Sequence, residues 1–343
     1  MAVDLQESGA FDGDPVAAVE SAAAALATAR GEIAKRVIGQ ETVVEQAMIS
    51  LLCGGHGLLV GAPGLAKTRL VETIGGVLGL DAKRVQFTPD LMPADILGAE
   101  VLEETSGGGR DFRFIEGPIF CQLLMADEIN RASPRTQSAL LQAMQEHHVS
   151  VAGQRRDLPA PFHVLATQNP IEQEGTYPLP EAQLDRFLLE IDVPFPSAEA
   201  EREILLSTTG ATEAESRQAL SAAQLMGLQR LVRRLPVGDA VLDAILALVR
   251  SARPGEPGAH EEADKLAWGP GPRGAQSLAL AVRAKALLDG RYAPSLGDVA
   301  ALAPAALKHR MALTYSARAE GATVSAAIDA MVEAALGAAR RAA

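Results

Sequence analysis

The chain has few clustered basic residues and no long apolar run. Its 343 residues carry a formal net charge of −12, and no run of Lys and Arg is longer than two. We expect no general nucleic-acid binding, because contacts to phosphates need clustered Lys and Arg. A local basic loop on an acidic protein is still compatible with this composition. No apolar stretch approaches the length that crosses a bilayer, so we expect no membrane insertion.

Cysteines and common hydrolase motifs are also scarce. Cys53 and Cys121 lie in separate apolar surroundings, which predicts buried free thiols in a reducing compartment. The N-terminus is acidic and shows no basic segment followed by an apolar core, so no signal peptide is expected. These features predict a cytoplasmic protein. The sequence has no Gly-x-Ser-x-Gly, His-Glu-x-x-His or paired Cys-x-x-Cys motif, so it shows no apparatus for the chemistry that those motifs carry.

A glycine-containing segment after a short apolar run predicts a phosphate-binding loop. Leu58–Val60 has the character of a strand buried on both faces. In order, the loop residues that follow are Gly61, Ala62, Pro63, Gly64, Leu65, Ala66, Lys67 and Thr68. The glycines allow a tight turn that points successive N–H groups at an anion. Lys67 supplies charge to the outer phosphates of ATP, and the Thr68 hydroxyl is placed to ligate Mg²⁺.

One loop position departs from the general pattern, which has glycine immediately before the lysine. This position is Ala66, whose Cβ disfavours a positive φ. If the residue has near-helical geometry, alanine costs little. If it needs a left-handed φ, we expect the site to be damaged.

A second motif places two carboxylates at the end of another apolar strand. Leu123–Ala126 precedes Asp127 and Glu128, about 60 residues beyond the loop. Such strands deliver residues to the carboxyl edge of a parallel sheet, where ligands bind in open α/β folds. We expect Asp127 to hold the hydration shell of Mg²⁺ and Glu128 to polarise the attacking water. The alternative is an acidic strand end that faces solvent. Together with the phosphate loop, however, the two carboxylates predict one ATP site.

Two later polar residues are candidates for contacts to the γ-phosphate. A third apolar run ends in Asn169, whose amide is able to hold a water or a phosphate oxygen, although Asn-Pro alone is a turn signal. Arg186 stands just before a further apolar run, Leu188–Val193. An arginine at such a corner is usually a solvated charge, but it is also able to complete the site of a neighbouring subunit.

These residues together resemble the MoxR family of AAA+ ATPases. Besides the phosphate loop, the resemblance rests on Val85–Asp95, Glu116–Phe120, Asp127–Ala132, Thr136–Leu141, Ala166–Pro170 and Gly175–Phe187. It is dense from about Val37 to Val193, thinner from about Leu235 to Arg310, and does not cover residues 1 to about 30. The family commonly carries alanine before the loop lysine, so Ala66 supports the resemblance.

The resemblance implies a role for each matching residue. Lys67 and Thr68 are the expected contacts to phosphate and Mg²⁺, Asp127 belongs to the metal shell, Glu128 is the catalytic carboxylate and Asn169 senses the γ-phosphate.

Three further roles follow from the same resemblance. Arg186 is expected to act as a finger in the adjacent protomer's site. Arg273 is expected to be a second sensor that reaches the phosphates from the lid. Ile38 and Gly39 are expected to pack near the adenine base.

The expected fold is α/β: an AAA+ P-loop core with a parallel sheet between helices, followed by an all-helical lid. We predict an N-terminal tail and Ala-rich helix at 1–35, the ATP-binding core at 36–195 and the lid at 196–343. Beyond Glu199 apolar residues repeat at helical spacing, and Ser295 with Asp298 predicts a helix start.

Two hairpins are predicted within the core. One covers Gly98–Phe114 with a flexible tip at 106–109, and the other covers Val149–Leu158. In the family such insertions face a central pore or a client, and the alternative is a pair of ordinary surface hairpins.

The resemblance implies an ATP-hydrolysing machine that forms a hexameric ring. Its expected work is chaperone-like remodelling, maturation or metal-cofactor loading of a partner, often a protein with a von Willebrand factor A domain. One alternative is a dedicated ring motor, such as a magnesium-chelatase-like subunit or a nucleic-acid unwinding enzyme, and the acidic charge counts against unwinding. Another is a nucleotide-switched scaffold with little turnover, against which the presence of Glu128, Asn169 and Arg186 counts.

Overall fold

The computed structural model describes residues 11, 13–104, 110–171, 175–210 and 214–342, with the backbone alone for 338–342. The elements up to the end of the sheet are α1 (Pro15–Ala34), α2 (Glu41–Leu52), β1 (Gly57–Val60), α3 (Lys67–Val77), β2 (Ala82–Gln86), α4 (Pro93–Leu97), β3 (Gly98–Glu104), β4 (Arg110–Glu116), β5 (Leu123–Asp127), α5 (Pro134–Glu146), β6 (His148–Val151), β7 (Gln154–Asp157), β8 (His163–Gln168), α6 (Glu181–Leu184) and β9 (Leu189–Asp192). The later elements are α7 (Ala198–Thr209), α8 (Ala222–Arg234), α9 (Asp239–Ser251), β10 (Leu266–Trp268), α10 (Pro272–Leu288), α11 (Leu296–Leu307), β11 (Ala312–Leu313), α12 (Tyr315–Ala319) and α13 (Val324–Ala342).

Five strands form one parallel sheet in the order β2-β5-β8-β1-β9. Alternate residues of the apolar strands point to opposite faces, so Leu58 and Leu59 belong to two different hydrophobic clusters. One face packs on α1, α2, α3 and the later helices, and the other packs on α4 and α5. Helices on both faces are what a parallel sheet requires, and the predicted α/β fold is confirmed.

The common strand direction separates the loops into two opposite edges of the sheet. At the carboxyl edge lie the residues that follow β1, β5 and β8. At the amino edge lie the residues that precede β1 and β9, where the N–H of Leu188 donates to the carbonyl oxygen of His56 at 2.8 Å. Gly57 pairs with Leu189 and Val60 with Asp192, so the two ends of these strands are aligned. A four-residue strand is about 13 Å long, and this length separates the edges.

The later helices form the predicted lid, which we define as α8 to α13. The predicted helix start at Ser295 is confirmed, because its hydroxyl accepts from the N–H of Asp298 and its N–H donates to the Asp298 carboxylate at 2.6 Å. The lid also contains a short antiparallel pair, β10 and β11, which helical spacing does not predict. Helix α1 and the lid share one hydrophobic cluster with the sheet, so the domain boundaries at 36 and 196 stay predictions.

Both predicted hairpins are present, as β3–β4 and β6–β7, and they contact each other. The Arg156 guanidinium lies 3.8 Å from the centroid of the Phe114 ring and 3.6 Å from the Glu100 carboxylate. Leu102 and Phe112 face each other across the first hairpin and are 51% and 67% exposed. An exposed apolar pair therefore lies next to the hairpin tip, whose predicted flexible residues 106–109 fall outside the described part.

The burial of the cysteines and the composition of the helices bear on two of the predictions. Cys53 and Cys121 are both buried and unpaired, and burial raises the pKa of the Cys121 thiol to about 12. None of the helices in the described ranges combines the length and apolar character that crossing a membrane requires.

Candidate nucleotide site

The phosphate loop leaves β1 and enters α3 through a left-handed residue. Ala66 has a φ of 54°, so of the two conformations that the sequence left open the structure shows the costlier one. For a residue other than glycine, the left-handed conformation costs about 1–2 kcal/mol. The turn into the helix is nevertheless formed, because the N–H of Leu70 donates to the carbonyl oxygen of Ala66 at 2.9 Å. The strain is therefore concentrated in the loop, as is common at ligand sites.

The loop presents unpaired donors to the space in front of it. Within the described ranges, the backbone N–H groups of Gly64–Thr68 have no acceptor. A Cβ added to Gly64 would meet nothing within 4 Å, so this space is open. Lys67 is folded back on the loop, where its Nζ donates to the carbonyl oxygens of Gly61 at 2.6 Å and Ala62 at 3.1 Å. These donors fit the oxygens of a polyphosphate.

Burial lowers the pKa of Lys67, and the nearby carboxylates of Asp127 and Glu128 oppose this shift. The two carboxylates that the second motif supplies therefore favour the charged form of this lysine.

A small cavity adjoins the loop on the side expected for adenine. Its lining includes Val37, Ile38, Gly64–Ala66, Ile204 and Thr208. Gly39 lines a neighbouring cavity instead, and a Cβ there would be 2.4 Å from the Cβ of Ala200. This glycine allows α7 to pack closely, so α7 contributes Ile204 and Thr208 to the cavity. The sequence pattern did not predict these two residues.

The Asp127 carboxylate is buried and held from both sides. Its Oδ1 accepts from the Thr167 hydroxyl at 2.6 Å. Its Oδ2 accepts from the Arg84 guanidinium at 2.6 Å and 3.2 Å. Because both oxygens have donors, the carboxylate is oriented before any nucleotide binds.

Glu128 is held in a strained conformation by the neighbouring strands. Its φ is 56°, and its N–H donates to the Thr167 hydroxyl at 2.8 Å. The carboxylate accepts from the Gln86 amide at 2.7 Å and the Arg131 guanidinium at 3.0 Å. Such strain persists where surrounding contacts over-determine it, and it often marks a functional position.

Sequence reasoning missed Arg84, Gln86 and Thr167. Arg84 and Gln86 are two residues apart on β2, which places them on the same face of the strand. Their contacts follow from the pairing of β2 with β5, in which Gln86 lies opposite Asp127. The polar residues on both sides of Val85 were a readable signal, but their partners depend on the strand order.

Asn169 is buried beside these carboxylates and has a spare donor. Its Oδ1 accepts from the N–H of Ile171 at 3.1 Å. Its Nδ2 is buried and has no acceptor among the described residues, so it is available to a phosphate oxygen or a water. The carboxyl edge thus brings together the loop, Asp127, Glu128 and Asn169.

Arg186 and Arg273 lie instead at the amino edge. One guanidinium nitrogen of Arg273 is 3.4 Å from the Asp185 carboxylate, next to Arg186. Both arginines line a cavity of about 330 Å³ whose lining includes no residue of the phosphate loop. Arg273 therefore lies across the sheet from the phosphate loop of its own copy, and the expectation that it reaches phosphates from the lid stays a prediction.

A buried arginine fixes the loop that carries Arg186. Arg310, from the lid, is 1% exposed, and burial lowers its pKa while Asp185 opposes the shift. Its guanidinium donates to the Asp185 carboxylate at 2.7 Å and to the carbonyl oxygens of Phe187 at 2.7 Å and Leu188 at 3.2 Å. The lid and the loop before β9 are thereby joined.

Comparison with known proteins shows what this arrangement is similar to. Residues 56–189 match the ATPase family associated with various cellular activities (AAA), and residues 259–331 match the AAA lid domain. The chain is 43% identical to "Chaperone MoxR1" of Mycobacterium tuberculosis over 84% of this chain and 76% of that protein. It is 36% identical to "Protein MoxR" of Paracoccus denitrificans over 86% of this chain and 91% of that protein. The crystal structure of a Cytophaga hutchinsonii protein superposes with a TM-score of 0.84 at 34% identity. The match covers 92% of this chain and 95% of that one.

We predict that Arg310→Met destabilises the protein, because it leaves the Asp185 carboxylate and several buried carbonyl oxygens without their donor. Urea unfolding should show a loss of about 3–5 kcal/mol in the free energy of unfolding. Arg250→Met, at an exposed position of α9, is the control and should change it by less than about 0.5 kcal/mol. Equal effects of the two substitutions would contradict the anchoring role of Arg310.

Proposed function

The chain belongs to the MoxR family of chaperone-like AAA+ ATPases, and we propose that it works as a ring in which the next copy completes each ATP site. The observation that carries this proposal is the division of the polar residues between two edges of the sheet. The phosphate loop, Asp127, Glu128 and Asn169 lie at the carboxyl edge, whereas Arg186 lies at the amino edge. One copy therefore carries both sets of residues, but they lie at opposite edges of the sheet and cannot act on the same ATP.

The carboxyl edge has the groups that ATP hydrolysis requires. The unpaired N–H groups of Gly64–Thr68 and the Lys67 ammonium would bind the phosphates. Thr68 and Asp127 would hold Mg²⁺, which neutralises charge on the phosphates when bound. Glu128, oriented by Gln86 and Arg131, would polarise the attacking water.

The amino edge has the groups that stabilise charge in the transition state. No hydrogen bond or ion pair joins the Arg186 side chain to another described residue, so its guanidinium is available to a neighbour. Arginine fingers act in this way on transferring phosphoryl groups. Arg273 shares the edge and is proposed to act on the same neighbouring site. A closed ring of identical copies supplies every site with its finger, and six copies is the number that the family implies.

We propose that the work of the ring is the remodelling, maturation or cofactor loading of a client protein with a von Willebrand factor A domain. The client class is inferred from the family. The structure contributes an exposed apolar surface, Leu102 and Phe112 on the first hairpin, which supports contact with another protein. A cytoplasmic location stays a prediction.

Two substitutions should separate ATP binding from hydrolysis. Lys67→Ala removes the main positive charge of the loop, so we expect loss of ATP binding. Glu128→Gln keeps the hydrogen-bonding shape but removes the charge that polarises water, so ATP should bind normally and turn over at least about 100-fold more slowly. Calorimetry and phosphate release measure the two effects. Unchanged turnover in Glu128→Gln would overturn the assigned chemistry, and slow turnover of the unaltered protein would favour the scaffold alternative.

Mixing subunits should reveal the shared site. Arg186→Ala should abolish turnover while its own phosphate loop stays intact. Adding Glu128→Gln subunits, which keep their fingers, should restore part of the turnover because the intact fingers reach the Arg186→Ala sites. If no mixing ratio restores activity, the action of Arg186 on a neighbouring copy is refuted.

Client capture should depend on ATP and on the first hairpin. Glu128→Gln protein held in ATP should capture a protein with a von Willebrand factor A domain from native lysate, and ADP should abolish the capture. Adding Phe112→Ser should weaken capture about 10-fold, since it removes an exposed apolar contact. Tyr315→Ser is the matched control, because Tyr315 is 90% exposed but lies in the lid. Capture that ignores the nucleotide, or equal loss in both variants, would contradict the client proposal.

A further inference from the structure

The cavity at the amino edge contains more positive charge than its single carboxylate balances. Four arginine side chains line it: Arg186, Arg233, Arg273 and Arg310. Among the described residues that line it, Asp185 is the one acidic residue. Burial lowers the pKa of His56, which also lines the cavity, to about 3, so this histidine is neutral at physiological pH.

The four arginines differ in how they are paired. Arg310 is buried and donates a hydrogen bond to the Asp185 carboxylate at 2.7 Å, whereas Arg273 makes only a longer contact of 3.4 Å with the same carboxylate. No hydrogen bond or ion pair joins the side chains of Arg186 and Arg233 to other described residues. The cavity therefore holds two unpaired guanidinium groups and a third that is weakly paired, which is the composition of an anion site.

Arg233 needs a separate explanation because it lies in the last turn of α8, where a basic residue also stabilises the helix dipole. Its neighbour Arg234 satisfies that requirement equally well. The two side chains point to different places, because Arg234 lines a separate cavity with Pro15, Leu231 and Tyr292. Only Arg233 of this pair lines the cavity that contains Arg186.

The helix that carries Arg233 is firmly seated. Leu231 and Val232 are buried in the hydrophobic cluster that the lid shares with the sheet, and α8 packs against α1, α2 and α10. Arg273 lies at the start of α10, and Arg310 joins the lid to the loop of Arg186. The backbone segments that carry the three arginines are thus held in one arrangement, although they come from three different elements.

We infer that Arg233 is a third arginine, beside Arg186 and Arg273, that this chain places on the phosphates of ATP bound to a neighbouring copy. This inference rests on the proposed shared site. The occupant is the triphosphate of a second copy because the cavity opens at the edge opposite the phosphate loop of its own chain. Guanidinium groups suit this ligand, since they donate two parallel hydrogen bonds to phosphate oxygens.

The test compares Arg233→Ala with Arg234→Ala, which removes the same charge from the same helix turn but from another cavity. Steady-state phosphate release at varied ATP gives KM and kcat, and thermal unfolding monitors the fold. Arg233→Ala should lower kcat/KM for ATP by about 10-fold or more, the factor typical of losing a charge-assisted hydrogen bond. Arg234→Ala should stay within about 2-fold of the unaltered protein, and both should unfold at similar temperatures.

Subunit mixing then shows on which copy Arg233 acts. Glu128→Gln subunits, whose cavities are intact, should restore turnover to Arg233→Ala subunits, as they should for Arg186→Ala. Rescue of Arg186→Ala without rescue of Arg233→Ala would overturn this inference and leave the shared site standing. Rescue of neither variant would overturn both.

Three other results would also refute the role of Arg233. The first is an unchanged kcat/KM in Arg233→Ala, and the second is an equal loss in Arg234→Ala. The third is a loss of inorganic phosphate binding in Arg233→Ala without any change in turnover, which would identify a site for free anions instead.

Discussion

The common direction of five parallel strands is the constraint on which this structure depends. It sends the ends of β1, β5 and β8 to one edge of the sheet and the segment before β9 to the other. Parallel pairing needs both faces to be covered, and α1, α2 and the lid cover one face through a single hydrophobic cluster. The same packing that stabilises the sheet therefore also fixes where the lid presents its arginines.

Side-chain hydrogen bonds across neighbouring strands refine the carboxyl edge. The Thr167 hydroxyl of β8 contacts both Asp127 and the backbone of Glu128, while β2 supplies Arg84 and Gln86 from the other side. Two acidic residues at the end of β5 are thus oriented by two adjacent strands. Such an arrangement is preorganised, so little reorganisation is needed when the substrate binds.

Local chemistry explains how much of the site could be predicted from the sequence. Lys67, Asp127 and Asn169 are recognisable as candidates because short apolar runs mark their strands, and the helix start at Ser295 is predictable because its cap lies within one turn. Arg84 and Gln86 were missed because their partners lie more than 40 residues away on a strand whose neighbours the sequence does not state. The φ of Ala66 was also undetermined, since either conformation fits the same residue types.

The lid shows a second limit of sequence reasoning. Arg273 was recognised as a candidate, but the edge of the sheet that it faces depends on how α10 packs, and this packing is tertiary. The pair β10 and β11 is only three and two residues long, which is too short to give a periodic pattern. No sequence motif marks Arg233, and only the cavity that it shares with Arg186 and Arg273 identifies it as a candidate.

The central claim is that two copies share each ATP site. The most direct measurement is a cryo-electron microscopy structure of the Glu128→Gln protein with ATP and Mg²⁺. The account predicts a closed ring in which Lys67 and Asn169 of one copy contact the γ-phosphate together with Arg186 of the next copy. A structure in which a single copy encloses its ATP completely, with Arg186 remote from every phosphate, would contradict it.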